Sequence, residues 1–433
     1  MRYILIIIIV LTGQLIAAQS YKSYFTGNNA DKETQPSGGV CMMGGSSEDD
    51  KAMKWFLSRA NGGDVLVLRA SGSDGYNKYM YSDLGITVNS VETIVCLNSA
   101  SAQESYIQEK IKNAEAIWFA GGDQYDYISY WQHTAIDSLI RQGIKERGVV
   151  VGGTSAGMAI MGGYMYSGQK GSVTSDVALG NPYNSKVTIE SGRFLENKFL
   201  EEVITDTHYD NPDRRGRQVT FLARILEDTG VRAKGIACDE YTAVCVDTTG
   251  IARVFGEYPS SNDNAYFIQS NCGLSEYTPE TCKTNLPLNW NRNNKAMWVY
   301  KIKGTKLGEN TFDLNVWATG QGGVWEDWYV NNGALGMKAS AQVDCSILAN
   351  EEINTPNTIN VYPNPVKDEL NIELNVQTVL GVTIFDLSGH IILNNQNNRQ
   401  GKVRIDLSEL KPGAYVLQIL GSSGLHTDKL IKL

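Results

Sequence analysis

The sequence predicts an α/β protein with a doubly wound, mostly parallel sheet, followed by a small all-β sandwich. Three observations carry this reading. From about residue 38, short apolar runs alternate with helix-like segments, the pattern of a parallel sheet covered on both faces. One of those runs, Val149-Val150-Val151, breaks at Gly152-Gly153 and resumes as a helix after a single serine, Ser155. Beyond about residue 359 the chain instead alternates apolar and polar residues one by one between Gly, Asn and Pro turns.

Taken in order, residues 1–18 read as a secretory signal peptide. They have a basic start at Arg2, an apolar core from Ile4 to Leu11, and small residues Ala17-Ala18 before the expected cut at Gln19. That core is too short to predict a transmembrane helix, and no later stretch stays apolar for long enough. Residues 19–37 form a lead-in. The alternation then begins with Val40-Cys41-Met42-Met43, a Gly44-Gly45-Ser46-Ser47 turn and a helix from about Glu48. Val65 to Leu68, Val91 to Leu97 and Ala116 to Phe119 are the next three strands, and Val149 to Val151 the fifth. In such a sheet the functional loops lie beyond the carboxyl ends of the strands: here the Gly44 turn, Ser71-Gly72-Ser73-Asp74, Gly121-Gly122-Asp123-Gln124 and the segment around Ser155.

Gly153-Thr154-Ser155-Ala156-Gly157 fits a nucleophile elbow, with glycine two places to each side of the serine. Small neighbours allow a sharp strand-to-helix turn that exposes the serine oxygen while the helix's first N–H groups point at the same spot. The alternative is a glycine-rich turn feeding a packed helix. A serine nucleophile needs a base, and the base needs an orienting group. His208, in Thr205-Asp206-Thr207-His208-Tyr209, stands among polar residues; His133 lies in a helix-like segment two residues after Trp131. His208 is the better base. Asp206, Asp239 and Glu240 all remain open as the orienting acid, because spacing alone does not choose among them.

Charge and composition exclude other classes. The net charge of -9 and the lack of a Lys/Arg run argue against nucleic acid. Four histidines, two of them near the C-terminus, without HExxH or CxxC spacing, predict no metal site and no cofactor. Seven cysteines in an exported chain permit disulfides; Cys272 and Cys282, flanking a turn-like segment, are the favoured pair, while Cys41 and Cys96 read as small buried residues.

Gly121-Gly122-Asp123-Gln124, the Ser155 elbow, Asp206-Thr207-His208 with its trailing arginines and Gly235 to Glu240, in this order, resemble the cyanophycinase and dipeptidase E family of serine peptidases over roughly residues 38 to 305. The resemblance implies a fold like that of class I glutamine amidotransferases, with serine at the elbow. It assigns Ser155 as nucleophile, His208 as base and Glu240 as the acid, with the backbone N–H groups of Gly122 and Ala156 as oxyanion hole. It places Asp123, Gln124, Arg214 and Arg217 around the substrate. The implied reaction is exopeptidase-like hydrolysis of peptide or isopeptide bonds beside aspartate through an acyl-enzyme. Where cyanophycinases carry glutamine before the histidine this chain has Thr207, and where they carry an arginine four residues after it this chain has Pro212. Both differences fall at the substrate side. Two other classes stay in play: another Ser-His-Glu acyl hydrolase, such as an esterase or amidase, and a catalytically silent binding protein. A homodimer is compatible with any of them.

Residues to about 348 complete the same domain with strands such as Ala243 to Val246, Ile251 to Phe255 and Met297 to Ile302. Trp317 to Trp328 holds three tryptophans among glycines and reads as an aromatic core rather than a stacking platform. Residues 349–358, rich in Asn, Thr and Pro, read as a linker. Residues 359–433 form the β-sandwich, with Leu370, Ile372 and Leu374 on one face, then Val382 to Phe385, Val403 to Ile405 and Tyr415 to Ile419 as strands. Val361-Tyr362-Pro363-Asn364-Pro365, Asp386-Leu387-Ser388-Gly389 and Lys429-Leu430-Ile431-Lys432-Leu433 resemble the sorting domains of the type IX secretion system of Bacteroidetes. That resemblance implies passage through the periplasm to the cell surface or medium, with the secretion machinery as partner.

Overall fold

A computed structural model describes residues 19–192, 194–341, 359–386, 390–395, 399–421 and 424–433. The expected signal peptide and the linker at 349–358 lie outside the described residues. The chain divides into two units, Met1–Asp344 and Cys345–Leu433.

The first unit opens with β1 (Tyr21–Gly27), β2 (Val40–Met43), α1 (Asp50–Ser58), β3 (Asp64–Arg69), α2 (Gly75–Lys78), β4 (Ser90–Cys96) and α3 (Ser105–Asn113). It continues with β5 (Ala116–Phe119), α4 (Gln124–Trp131), α5 (Ala135–Gln142), β6 (Val150–Thr154) and α6 (Ala156–Ala159). The five strands read from the sequence pair in parallel in the order β4-β3-β5-β6-β2. Parallel strands need crossovers, and the helices between them supply these. Asp49 caps α1 by accepting the N–H groups of Lys51 and Ala52, a cap worth about 1 kcal/mol. The lead-in is not loose: β1 pairs antiparallel with β4 at the sheet edge. His133 is not helical either; it occupies the turn between α4 and α5 at φ +60°, where its N–H donates to Asp137 at 2.6 Å.

After α6 come β7 (Tyr164–Tyr166), α7 (Ser175–Gly180), β8 (Ile189–Ser191), β9 (Val203–Asp206), α8 (Arg215–Thr229) and β10 (Lys234–Cys238). There follow β11 (Ala243–Val246), β12 (Ile251–Tyr258), β13 (Asn264–Ser270), β14 (Met297–Lys303), β15 (Asn310–Asp313), β16 (Gly320–Gln321), β17 (Gly323–Asn331) and β18 (Ala334–Ala339). β11, β12, β15 and β16 extend the first sheet beyond β2, whereas the rest build a second sheet in the order β18-β17-β14-β13-β10-β9-β7-β8. The two sheets share a core: Val40, Leu66, Val151 and Val244 of the first lie in one apolar cluster with Val203, Ile236, Phe267 and Tyr300 of the second. α1 covers the outer face of the first sheet through Ala52, Met53, Phe56 and Leu57. α8 covers the second through Val219, Leu222 and Ile225.

The tryptophans of the 317–328 segment serve this core. Trp317 and Trp328 are buried, and Trp325 stacks on Trp298 at 3.9 Å between ring centroids. The expected Cys272–Cys282 disulfide is not formed. Cys272 is disulfide-bonded, but Cys282 is a free thiol buried in the core with Leu288 and Trp290, and burial pushes it up to about 12. Cys41 and Cys96 are free and fully buried, as their strand contexts predict.

The second unit holds β19 (Ile359–Tyr362), β20 (Glu369–Phe385), β21 (Ile391–Asn395), β22 (Arg399–Asp406), β23 (Gly413–Gly421) and β24 (Gly424–Lys432), all antiparallel. Two strands expected separately, around Leu370 and around Val382, are the two halves of β20. Its first half pairs with β19 and β22, its second with β21 and β23. Leu370, Ile372, Val382, Ile384, Leu417, Ile419 and Leu430 form its core.

Candidate active site

Ser155 stands between β6 and α6 with φ +52° and ψ −115°, a conformation that costs a non-glycine residue energy and persists only when its surroundings hold it. The surroundings do hold it. Its N–H donates to the Met43 carbonyl at 3.1 Å, and its carbonyl accepts from Ala159 at 2.9 Å. The flanking glycines are needed for close approach: a Cβ on Gly157 would lie 2.0 Å from the Phe119 carbonyl oxygen, and one on Gly153 would lie 2.7 Å from the backbone of Gly157. Ala156 opens the helix, so its N–H has no partner within the helix itself. The Gly121-Gly122 loop at the end of β5 runs beside the serine, since a Cβ on Gly121 would lie 3.7 Å from that of Ser155.

His208 follows β9 and Glu240 follows β10, the two strands being parallel neighbours in the second sheet. The His208 Nε2 lies 2.8 Å from Ser155 Oγ, and its Nδ1 lies 2.6 Å from Glu240 Oε1. A carboxylate on Nδ1 fixes the proton there and leaves the Nε2 lone pair facing the serine hydroxyl. Both side chains are mostly buried. His208 also adopts a positive φ, +46°, with its N–H donated to Gly44 at 2.7 Å and its ring packed against Gly45. Thus the serine comes from the first sheet, while the histidine and glutamate come from the second.

The other acids left open by spacing are engaged elsewhere. Asp206 receives Arg217 on both oxygens, Nε at 2.9 Å. Asp239 accepts the backbone and side-chain N–H groups of Asn264 at 2.8 and 3.0 Å, and burial pushes its carboxyl up to about 6. Arg217 departs from expectation. It is 3% exposed, paired with Asp206, and lies over the Tyr166 ring, so its fork is already filled from within the protein. Arg214 is different. Its Nη1 donates to the Thr207 carbonyl at 3.0 Å, its buried Nε has no partner among the described residues, and no carboxylate there forms an ion pair with it. Burial and the neighbouring Arg217 charge pull its guanidinium below the ordinary value. Asp123 caps α4 by accepting the Tyr125 N–H at 2.9 Å and remains exposed, and Gln124 donates to the Tyr166 carbonyl at 3.3 Å.

Sequence reasoning marked the Gly44-Gly45 turn as a functional loop without assigning it a part; the paired glycines directly after a buried strand were the signal that it meets another backbone closely. Asp210, whose Oδ1 accepts the Glu240 N–H at 3.0 Å, gave no signal at all. Among the described residues, no group of three or more His, Cys, Asp or Glu side chains is placed to hold a metal ion, and no helix is long and apolar enough to cross a membrane.

Residues 37–254 match Peptidase family S51, and residues 360–433 match the secretion system C-terminal sorting domain. Among curated relatives, the cyanophycinase of Trichormus variabilis is 27% identical over 167 residues, 39% of this chain and 51% of the relative. That of Synechococcus elongatus is 26% identical over 227 residues, 50% of this chain and 66% of the relative. The chain thus spans about half the length of the first of these and two thirds of the second. A solved peptidase from an acI-B1 Actinobacterium is 17% identical, covering 52% of this chain and 89% of its own, with a TM-score of 0.39. With its S51 match spanning half of its length, the chain belongs to peptidase family S51 and carries a secretion-system sorting domain behind the peptidase region.

Proposed function

We propose that the protein is an exported, cyanophycinase-like serine peptidase that cleaves peptide or isopeptide bonds beside aspartate. The observation that carries this reading is the unbroken chain of contacts from Ser155 through His208 to Glu240, at 2.8 and 2.6 Å. In the first step Ser155 Oγ attacks the scissile carbonyl carbon while His208 Nε2 takes the hydroxyl proton, and Glu240 stabilises the imidazolium that forms. The oxyanion of the tetrahedral intermediate points at the N–H groups of Gly122 and Ala156, donors whose loss typically costs about 3 kcal/mol each in such sites. His208 then protonates the leaving amine, and a water activated by the same nitrogen hydrolyses the acyl-enzyme. Export rests on the sorting domain together with the signal-peptide character of residues 1–18.

Acid specificity is assigned to Arg214 alone, because Arg217 is occupied by Asp206. A substrate carboxylate would complete the hydrogen bonding of a half-buried guanidinium that, among the described residues, has a carbonyl partner and no carboxylate. Purified enzyme is therefore expected to prefer aspartyl peptides over simple neutral esters. Arg214→Ala should cost about 2–5 kcal/mol in kcat/KM toward the aspartyl substrate while leaving the neutral ester nearly unchanged. Equal losses on both substrates would remove the carboxylate contact and leave the serine mechanism standing.

A further inference from the structure

Three turns meet behind the imidazole: Gly44-Gly45 after β2, the segment from His208 after β9, and Asp239 to Thr242 after β10. Backbone hydrogen bonds join them. His208 N–H donates to Gly44 at 2.7 Å, Gly44 N–H to Thr242 at 2.9 Å, Tyr241 N–H to Gly45 at 3.2 Å and Tyr209 N–H to Cys238 at 3.2 Å. Beyond the His208–Glu240 contact, a further side chain ties the turns. Asp210, two residues beyond the histidine, accepts the backbone N–H of Glu240 on Oδ1 at 3.0 Å. Asp210 is itself held in a closed turn, in which Asn211 N–H donates to His208 at 3.2 Å, Arg214 N–H donates to Tyr209 at 2.9 Å, and Asp210 bridges to Asp213.

The Asp210 carboxylate is exposed and lies close enough to Asp239 to raise that acid, behind the larger effect of burial. A third carboxylate beside Asp239 and Glu240 adds repulsion, so charge alone gives no reason for it there. Geometry does. The plane of the Glu240 peptide sets the direction of its Cα–Cβ bond, and through it the reach of Oε1 to His208 Nδ1. An acceptor on that N–H, carried by the histidine's own turn, sets the distance between base and acid from one short segment of chain.

We infer that Asp210 is a positioning residue: by holding the Glu240 N–H it keeps the Glu240 carboxylate aimed at His208. The inference rests on the Ser155–His208–Glu240 reading, and its test separates the two. Full-length protein and its Asp210→Asn, Asp210→Ala and Ser155→Ala variants are labelled with a fluorophosphonate probe, which reports activation of the serine without a known substrate, and each is melted thermally. Asparagine keeps a side-chain oxygen for the Glu240 N–H, whereas alanine removes it. The expected result is a maximal labelling rate roughly ten- to a hundredfold lower in Asp210→Ala, the scale on which small misplacements of catalytic groups act. The probe concentration for half-maximal rate and the melting temperature stay as in the native chain, and Asp210→Asn recovers most of the rate. Native labelling in Asp210→Ala, an Asp210→Asn variant as slow as alanine, or a loss that follows a fall in melting temperature overturns the inference. Labelling of Ser155→Ala at the native rate instead sinks the nucleophile assignment on which it stands.

Discussion

Ser155→Ala should lower turnover by about a thousandfold or more, and His208→Ala by a similar factor, with the double variant no worse than either alone. The non-additivity is the informative part. Without the hydroxyl there is no proton for the imidazole to take, and without the imidazole the hydroxyl at 2.8 Å stays protonated and weakly nucleophilic. What survives in each variant is binding and the N–H donors of Gly122 and Ala156, which do not depend on the pair. Steady-state rates on the best peptide of a panel, with fluorophosphonate labelling as a second readout, check the expectation. Ordinary activity in Ser155→Ala, or losses that multiply, would mean that the two side chains do not act as one unit.

Gly45→Ala should be nearly as damaging, although it touches neither nucleophile nor acid. A Cβ at this position would sit 2.4 Å from both Cε1 and Nε2 of His208, well inside contact distance. The backbone there has φ +117°, a region that L side chains avoid at a cost of about 1–3 kcal/mol. The ring cannot retreat without lengthening either the 2.8 Å contact to Ser155 or the 2.6 Å contact to Glu240. The variant is expected to fold with a lowered melting temperature and to lose about a hundredfold or more in kcat. Near-native turnover at a temperature well below its melt would show that the ring has slack that the native contacts do not reveal.

The sheet and the elbow were legible because each is written locally. Buried parallel strands read as valine- and isoleucine-rich runs, and the turn at Ser155 needs glycine two places to either side, where a Cβ would strike Phe119 or Gly157. Glu240 as the partner of His208 was not legible from spacing, since the two are 32 residues apart. They meet because β9 and β10 are parallel neighbours with Asp206 opposite Ala237, so that residues just past each strand end fall side by side. Arg217 misled for the converse reason. Its spacing from Arg214 fits convergence on a ligand, yet its partner Asp206 lies 11 residues earlier, and the pair satisfies itself in the interior. The second sheet was legible only in part: Met297 to Ile302 read as a strand, whereas β13, whose polar Asn264, Gln269 and Ser270 are buried, was not read as one. Asn264 is bonded there to Asp239, and Gln269 to the Trp317 carbonyl.

Because Ser155 is carried by one sheet and His208 and Glu240 by another, the proposed mechanism makes activity depend on the registry between two slabs that could each survive a small slip. A shift of about an ångström along their shared interface would part Oγ from Nε2 and strain the His208-to-Gly44 and Tyr241-to-Gly45 hydrogen bonds that cross it, while the ladders within each sheet remained closed. Mild denaturation should therefore silence the enzyme first and melt it afterwards. In a urea series, the midpoint for turnover is expected below that for far-ultraviolet dichroism, with activity returning on dilution from the gap between them; coincident midpoints would mean that the interface and the sheets give way together.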